Sequence, residues 1–597
     1  MLISKGFRIS RRTTMNGYKK DYKLEEKFSE YTDMKIMFAD LAEKYDKKIA
    51  FVTKEKNKEN KDVKYINTSY RELFEEINAL GTAILKRGFQ SATTGIIGAN
   101  SYKWCLSYFT SACGIGKTVP LDHLLPAEEI ESCLSRAGIN ILFCDKAHYG
   151  VLKPLLKKED VNVELMVGLD FKPEEGVNID DLLEEGRDFL NKGDRIYLDR
   201  NIDPDACNFI LFTSGTTQKS KAVMMSHRAF MSCNYGMNCE EVFFKGDVSL
   251  LILPLHHCYG MSGLITFLTQ GIKNAFCDGL RYIVPNLKEY KVSVIMSVPL
   301  LLENMYKKIW KAIEKENAEG KIKTALRLCD ASDKIGINLR RKVFSAIKKQ
   351  LGGHLRFIIN GAAPLNPQVA KGMNDFGILT VNGYGLTETA PTIASETYRY
   401  LRPGSVGKVM PNVTAKIENP DEAGIGELVV KGDNVMLGYM DDEEATSEVL
   451  RDGWFYTGDL AYFDEDNYLF ICGRKKDVIV MKNGKNIFPD EIESLINRIP
   501  YVSESMIFTR NKANDFVIWA KIVPDKAIVH EAGLSKDDVD AEISKYMDEI
   551  NSEMPSYKMV KKFFISDKPM IKTTTQKIKR REEKKQIDQE LADRELL

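Results

Sequence analysis

The chain predicts an α/β protein: a large N-terminal lobe of layered α/β subdomains with a β-rich part, followed by a small α+β C-terminal domain. Three observations support this. At 597 residues the chain is too long for one hydrophobic core, so two or more domains are expected. From about residue 35 to 470, short apolar runs alternate with helical patterns, as in layered α/β folds. Past Gly473-Arg474-Lys475-Lys476-Asp477 the alternation gives way to a short α+β unit. The boundaries are therefore placed at 1–30 for a flexible tail, 31–475 for the large domain and 476–597 for the small one.

In chain order, residues 1–20 carry Lys5, Arg8, Arg11, Arg12, Lys19 and Lys20 without an acid. That pattern fits a targeting leader or a disordered tail. The charge-dense 54–64 stretch reads as a solvated hairpin tip or loop. Thr94-Gly95-Ile96-Ile97-Gly98, Ile141-Leu142-Phe143-Cys144 and Leu250-Leu251-Ile252-Leu253 read as buried strands. Residues 248–272 contain no Asp, Glu, Lys or Arg, but Pro254, His256, His257 and several glycines make a poor spanning helix. A buried strand and loop leading into a buried helix is expected there. Residues 307–323 look like an exposed helical face. From Gly424 the pattern turns to β, and 464–468 reads as a hairpin turn in which Asn467 tolerates a left-handed backbone. Beyond the boundary, helices are expected at 489–498 and 536–554, and strands at 504–510 and 516–523. The last 20 residues, rich in Lys and Glu, are expected to form a solvated helix or tail.

Bulk composition narrows the function. Lys+Arg and Asp+Glu are equal at 85 each, so no net field draws the chain to nucleic acid or to an anionic membrane. No transmembrane segment is expected, although peripheral membrane contact is compatible with the composition. The eleven cysteines are scattered without a C-x-x-C pair, which points to reduced thiols in a cytoplasmic setting.

The most informative segment follows the apolar run Phe209-Ile210-Leu211-Phe212. It gathers Thr213, Ser214, Gly215, Thr216, Thr217 and Lys221 into one turn. Backbone N–H groups, hydroxyls and a cation presented together suit a polyanion such as phosphate. A polar surface turn is the bland alternative.

Other segments share this character. They are Leu253-Pro254-Leu255-His256-His257-Cys258-Tyr259-Gly260, Asn360-Gly361-Ala362-Ala363-Pro364-Leu365 and Asn382-Gly383-Tyr384-Gly385-Leu386-Thr387-Glu388-Thr389. Asp452-Gly453-Trp454-Phe455-Tyr456-Thr457-Gly458-Asp459-Leu460, the 473–477 segment and Lys572-Thr573-Thr574-Thr575-Gln576-Lys577-Ile578-Lys579-Arg580 complete the set. In this order they resemble the adenylate-forming (AMP-binding) superfamily. Val478 to Pro489 and Thr118-Val119-Pro120-Leu121-Asp122 are most similar to bacterial long-chain fatty acid–CoA ligases. The chain departs from the family pattern in having Gln218 and Gln576 where glycines are usual.

The resemblance implies a role for each residue. Thr213, Ser214, Gly215, Thr216, Thr217 and Lys221 would hold the ATP phosphates. Gly361, Ala362, Ala363, Pro364, Asn382, Gly383 and Tyr384 would hold the adenine, and Asp459 and Arg474 the ribose. Thr387 would reach the α-phosphate. Glu388 and Thr213 would bind Mg2+, since a hard carboxylate suits that ion. His257 would line the acyl pocket, with His256 as pocket wall. Lys476 would be the hinge of a mobile small domain, and Asn483 and Gly484 would meet coenzyme A. Lys577 would be the catalytic cation. A carboxylate attacking a phosphate brings two anions together, and at about 4 Å unit charges repel by roughly 4 kcal/mol at an effective dielectric near 20. Thr387-Glu388 also reads as a helix start, with Thr as cap and the acid in the first turn.

The implied activity is ATP-dependent conversion of a medium- to long-chain fatty acid to acyl-AMP, then transfer to coenzyme A with release of AMP and pyrophosphate. The alternatives are a ligase loading a separate carrier protein and a non-catalytic lipid-binding relative. Two decoys are set aside. Gly114-Ile115-Gly116-Lys117-Thr118 ends like a phosphate-binding P-loop, but Ser111 stands where the first glycine is required. Leu351-Gly352-Gly353-His354-Leu355 resembles a carrier-protein attachment site, with Leu355 replacing the serine.

Overall fold

The computed structural model describes residues 29–56, 63–213, 220–241, 243–334, 337, 339–481, 486–512, 515–573 and 577–594. The basic N-terminal run, Ser214, Gly215, Thr216, Thr217, Gln218, Asn483, Gly484 and Gln576 lie outside these residues.

Two large sheets dominate the first part of the chain. In the eight-stranded sheet the order is Gly438–Tyr439, Lys221–Met225, Phe209–Thr213, Gly116–Leu121, Ala92–Ile97, Ile141–Cys144, Leu165–Gly168 and Val177–Asn178. Its strands run parallel from Phe209–Thr213 onward. The nine-stranded sheet is parallel through Phe357–Asn360, Val294–Ser297, Val248–Leu251 and Lys273–Phe276, with antiparallel strands at both ends. Parallel strands are buried on both faces, so they read as unbroken apolar runs such as Ile141-Leu142-Phe143-Cys144, all four of them buried. A five-stranded antiparallel sheet, built on Gly426–Lys431 and Trp454–Phe463, supplies the β-rich part.

Local chemistry sets the element limits. Ser69 and Glu72 form a capping box, with Ser69 N–H donating to Glu72 Oε2 at 2.7 Å and Glu72 N–H to Ser69 Oγ at 3.1 Å. The helix so started, Tyr70–Lys86, buries Leu73, Ile77, Leu80 and Ile84 in the main core. The P-loop decoy has a structural explanation. A Cβ at Gly116 would stand 2.2 Å from the Ala92 carbonyl oxygen, so glycine is required where the chain enters the Gly116–Leu121 strand. The acid-free stretch forms the Val248–Leu251 strand, a loop and the buried helix Cys258–Thr269. Asn467 takes φ +62° in the turn before Leu469–Arg474.

The last part of the chain holds a three-stranded sheet of Val502–Lys512, Asp515–Pro524 and Lys562–Ile565. The Pro489–Ile496 and Lys536–Glu553 helices pack beside it around Ile492, Ile507, Ile543 and Met547. The expectation of a solvated C-terminal tail is corrected here. The Arg580–Asp593 helix is docked, with Ile587 and Leu591 fully buried. Glu583 and Glu590, seven residues apart and so on one face, pair with the buried Lys521 Nζ at 2.7 and 2.9 Å. Composition alone reads such charges as solvated, because the lysine that pairs them is far away in sequence. Among the described residues, no helix is long and apolar enough to cross a membrane.

Candidate active site

The site lies where the loops that follow the carboxyl ends of the parallel strands of both sheets meet, the usual ligand position in open α/β sheets. Asn100, just past the Ala92–Ile97 strand, joins the two sets of loops. Its Nδ2 donates to the Leu253 carbonyl at 2.8 Å, and its Oδ1 accepts from Leu255 N–H at 3.0 Å.

Thr213 ends one strand and Lys221 begins the next, paired directly across the ladder. Lys221 Nζ lies 4.1 Å from the ring centroid of Tyr439, and the Tyr439 hydroxyl donates to Glu388 Oε1 at 2.8 Å. Met436 N–H donates to the Glu388 carbonyl at 2.9 Å. The Gly438–Tyr439 strand, on the edge of Lys221–Met225, thus ties Lys221 to Glu388. Nothing local in the sequence singles out Tyr439, because its partners are far away in the chain.

Thr387 and Glu388 sit in a three-residue 3-10 turn after the Leu379–Gly385 strand. The capping expectation for Thr387 is not met. Leu386 is the cap residue, and the Thr389 hydroxyl accepts its N–H at 3.1 Å. Thr387 is the first residue of the turn and not its cap.

Asp459 and Arg474 face each other across neighbouring antiparallel strands. Arg474 Nε is 2.9 Å from Asp459 Oδ1, and the Tyr384 hydroxyl donates to Asp459 Oδ2 at 2.5 Å. Burial holds the Asp459 carboxyl above its ordinary pKa against the opposing pull of Arg474 and Tyr384. Asn382 is fixed from both sides. Its N–H and Nδ2 donate to Glu396 Oε2 at 3.1 and 3.0 Å, and its Oδ1 accepts from Asn360 Nδ2 at 3.2 Å. Burial pushes Glu396 up to about 7. Gly361 rests against the ring of Tyr259, which a Cβ would approach to 3.0 Å. Ala362, at φ +71°, Ala363 and Pro364 are exposed just beyond it. Gly383 lies on the same strand as Asn382 and Tyr384.

His257 opens the Cys258–Thr269 helix, its ring 4.2 Å from that of His256. Desolvation, then His256, pulls its pKa down to about 3, so it is neutral at physiological pH and a poor proton acceptor. That fits a wall or gate better than a general base. Lys476 lies exposed in the Lys475–Asp477 turn that leads out of the Leu469–Arg474 strand.

Lys577 comes from the last part of the chain yet belongs electrostatically to this cleft. Its residue is solvent-accessible, but its ammonium pKa is lowered, first by desolvation and then by Arg474, while Asp459 and Glu388 oppose the shift. His257 also feels its charge. The backbone of the lysine is tied to Thr573: Thr573 N–H donates to the Lys577 carbonyl at 2.8 Å, and Lys577 N–H to Thr573 Oγ1 at 3.2 Å. Three residues on, Arg580 anchors the chain through Glu493 Oε1 and Oε2 at 2.8 and 2.6 Å and Asp490 Oδ1 at 2.7 Å. Nothing local in the sequence marks Arg580 for this anchoring role, because Asp490 and Glu493 lie about ninety residues away.

Residues 38–440 match the family described as AMP-binding enzyme, and residues 476–593 match the AMP-binding enzyme C-terminal domain. The chain is 28% identical over 460 residues to a long-chain-fatty-acid–CoA ligase of Mycobacterium bovis, covering 73% of this chain and 74% of that protein. It is 28% identical over 546 residues to long chain acyl-CoA synthetase 2 of Arabidopsis thaliana, covering 83% and 80%. In fold it is similar to O-succinylbenzoate coenzyme A synthetase of Bacillus subtilis in complex with AMP, with a TM-score of 0.66 at 21% identity over 91% of this chain and 97% of that one. ATP-bound MatB of Rhodopseudomonas palustris gives 0.68 at 24% identity over 94% and 99%.

Proposed function

The chain belongs to the AMP-binding enzyme family, and from that premise we propose that it activates a medium- to long-chain fatty acid with ATP and passes the acyl group to coenzyme A. The observation that carries this reading is the meeting of Lys577, from the C-terminal part, with Glu388, Asp459 and Arg474 in one electrostatic environment.

The chemistry takes place in two steps. A fatty carboxylate oxygen bonds to the α-phosphorus of ATP as the bond to pyrophosphate breaks, giving acyl-AMP. The thiol of coenzyme A then takes the acyl carbon, and AMP leaves. Lys577 and Thr387 stabilise charge at the α-phosphate. Thr213 and Lys221, with Ser214, Gly215, Thr216 and Thr217, receive the β- and γ-phosphates. Gly361, Ala362, Ala363 and Pro364 with Asn382, Gly383 and Tyr384 frame the adenine, and Asp459 with Arg474 holds the ribose hydroxyls.

The donors fit a Mg2+ that arrives with ATP. Glu388 offers a hard carboxylate whose backbone and one oxygen are already fixed by Met436 and Tyr439. When bound, that ion neutralises phosphate charge. Thr213 is the second protein group within its reach in this reading. The acid-free wall built from 248–272 suits an apolar acyl tail, with His257 at its rim. The names of the relatives at 28% identity favour the same acid class.

The division at 475/476, with Lys476 as hinge and Asn483 and Gly484 on the coenzyme A side, belongs to the same proposal. Rotation there would withdraw Lys577 and present 478–489 to the thiol. A cytoplasmic setting, where thiols stay reduced, completes the reading.

The test is acid-dependent AMP formation with coenzyme A across a chain-length series of fatty acids. Turnover that rises with chain length through the medium and long range supports the proposal. AMP formation with no fatty acid, or only with a carrier protein as acceptor, overturns it.

A further inference from the structure

Four of the seven histidines of the chain lie in one cluster at the sheet junction: His123, His148, His256 and His257. The ring centroids of His123 stand 5.1 Å from His148 and 5.7 Å from His256, both edge-on. Asp122 joins them, its Oδ1 at 3.4 Å from His256 Nε2. One ligand atom from each of Asp122, His123 and His256 can be chosen so that all three lie within 4.8 Å of one another. Asp122 and His123 have no part in the ATP, ribose or acyl chemistry proposed above, and His256 enters it only as a stretch of pocket wall.

The contact geometry is unusual for a hydrogen bond. A separation of 3.4 Å exceeds the ordinary N–H···O range of about 2.7–3.2 Å. His256 is 8% exposed, and its Nε2 finds no hydrogen-bond partner among the described residues. The same holds for the buried Nδ1 of His123. Two buried imidazole nitrogens are thus left without a hydrogen bond beside a carboxylate. Asp122 Oδ1 already accepts Leu124 N–H at 2.9 Å, which orients the carboxylate toward His256. Two ligand atoms each about 2.1 Å from a tetrahedral zinc ion stand roughly 3.4 Å apart, the His256–Asp122 spacing found here. His123, half-buried on the loop after the Gly116–Leu121 strand, offers the third ligand atom, within 4.8 Å of the other two.

We propose that Asp122, His123 and His256 form a binding site for one divalent first-row transition-metal ion. Two imidazoles and one carboxylate favour zinc-like ions over Mg2+ or Ca2+, which prefer all-oxygen shells. Three protein ligands leave a fourth position for water. The scaffold around them is firm. Asn100 locks the 253–255 loop to the neighbouring strand end, and Asp145 holds His148 Nδ1 at 2.5 Å against the far side of His123. The ion would tie the loop after the Gly116–Leu121 strand to the loop before the Cys258–Thr269 helix, one residue from His257. The site stands on its own donors and does not depend on the acid activated.

The test uses the full chain, stripped with a chelator and titrated with Zn2+ against a chromophoric competitor, with Mg2+ in excess. One equivalent should bind, and Mg2+ should not displace it. His123→Ala and Asp122→Asn should each weaken binding at least tenfold, while His354→Ala, at an exposed position elsewhere, should leave it unchanged. Circular dichroism melts confirm that the variants fold. If both fail to fold, the Co2+ spectrum of the unaltered chain decides. Intense d–d bands without thiolate charge transfer support the site, and an aquo-ion or thiolate spectrum overturns it. Absence of stoichiometric Zn2+ binding, or His123→Ala binding within twofold of the unaltered chain, also overturns it.

Discussion

Lys577→Ala tests the two-step scheme most directly. Arg474 is committed to Asp459 at 2.9 Å, so its charge is largely compensated within the protein. Lys577 makes no ion pair among the described residues, and its lowered pKa reflects an ammonium kept partly desolvated. It therefore brings a nearly uncompensated positive charge to the point where carboxylate and α-phosphate meet. The repulsion it offsets is roughly 4 kcal/mol for unit charges about 4 Å apart at an effective dielectric near 20. Part of that is already spent on desolvating the lysine, so a loss of about 10²–10³ in rate is expected. The assay measures pyrophosphate exchange for the first step and thioester formation from supplied acyl-AMP for the second. The first should fall by that factor, and the second should stay within about threefold. If the two fall together, the lysine does not act selectively on adenylation and the domain-rotation scheme fails. The depressed pKa adds a pH signature: desolvation lowers it, so adenylation should decline with rising pH earlier than the titration of an ordinary lysine would give.

Three further outcomes follow from the geometry. Tyr439→Phe removes the 2.8 Å bond to Glu388 but keeps the ring under Lys221, so kcat/KM for ATP should fall about fivefold, near 1 kcal/mol, in steady-state kinetics. Leu591→Ala leaves a cavity in the packed face of the C-terminal helix and should cost about 2–5 kcal/mol in urea unfolding of the C-terminal part; no change would mean the helix is not docked. Glu241 is buried with its Oε2 lacking a hydrogen bond, and burial raises its pKa from 4.5 to about 8. The folded state then holds a proton that the unfolded state releases, so the contribution of Glu241 to stability is fully present below about pH 4.5 and is lost as pH rises through about 8. Glu241→Gln should flatten that part of the stability curve measured by thermal melts across pH.

Much of the architecture was legible in residue order alone. Buried parallel strands must be apolar on both faces, so Ile141-Leu142-Phe143-Cys144 announced itself, and the acid-free 248–272 stretch could only be a strand and helix of the interior. Glu388, Asp459 and Lys577 could be picked out as candidates from their motifs, and the fold brings the three into one electrostatic environment. Long-range pairing was not. Tyr439 gains its meaning from Glu388, Glu396 from Asn382, Arg580 from Glu493, and Lys521 from two carboxylates more than sixty residues away. The Asp122–His123–His256 cluster joins segments more than a hundred residues apart. Local patterning records which face of an element is buried, since that depends on its own period. Which charges meet, and which buried polar atoms find partners, is decided only when separate strands bring their ends to one place.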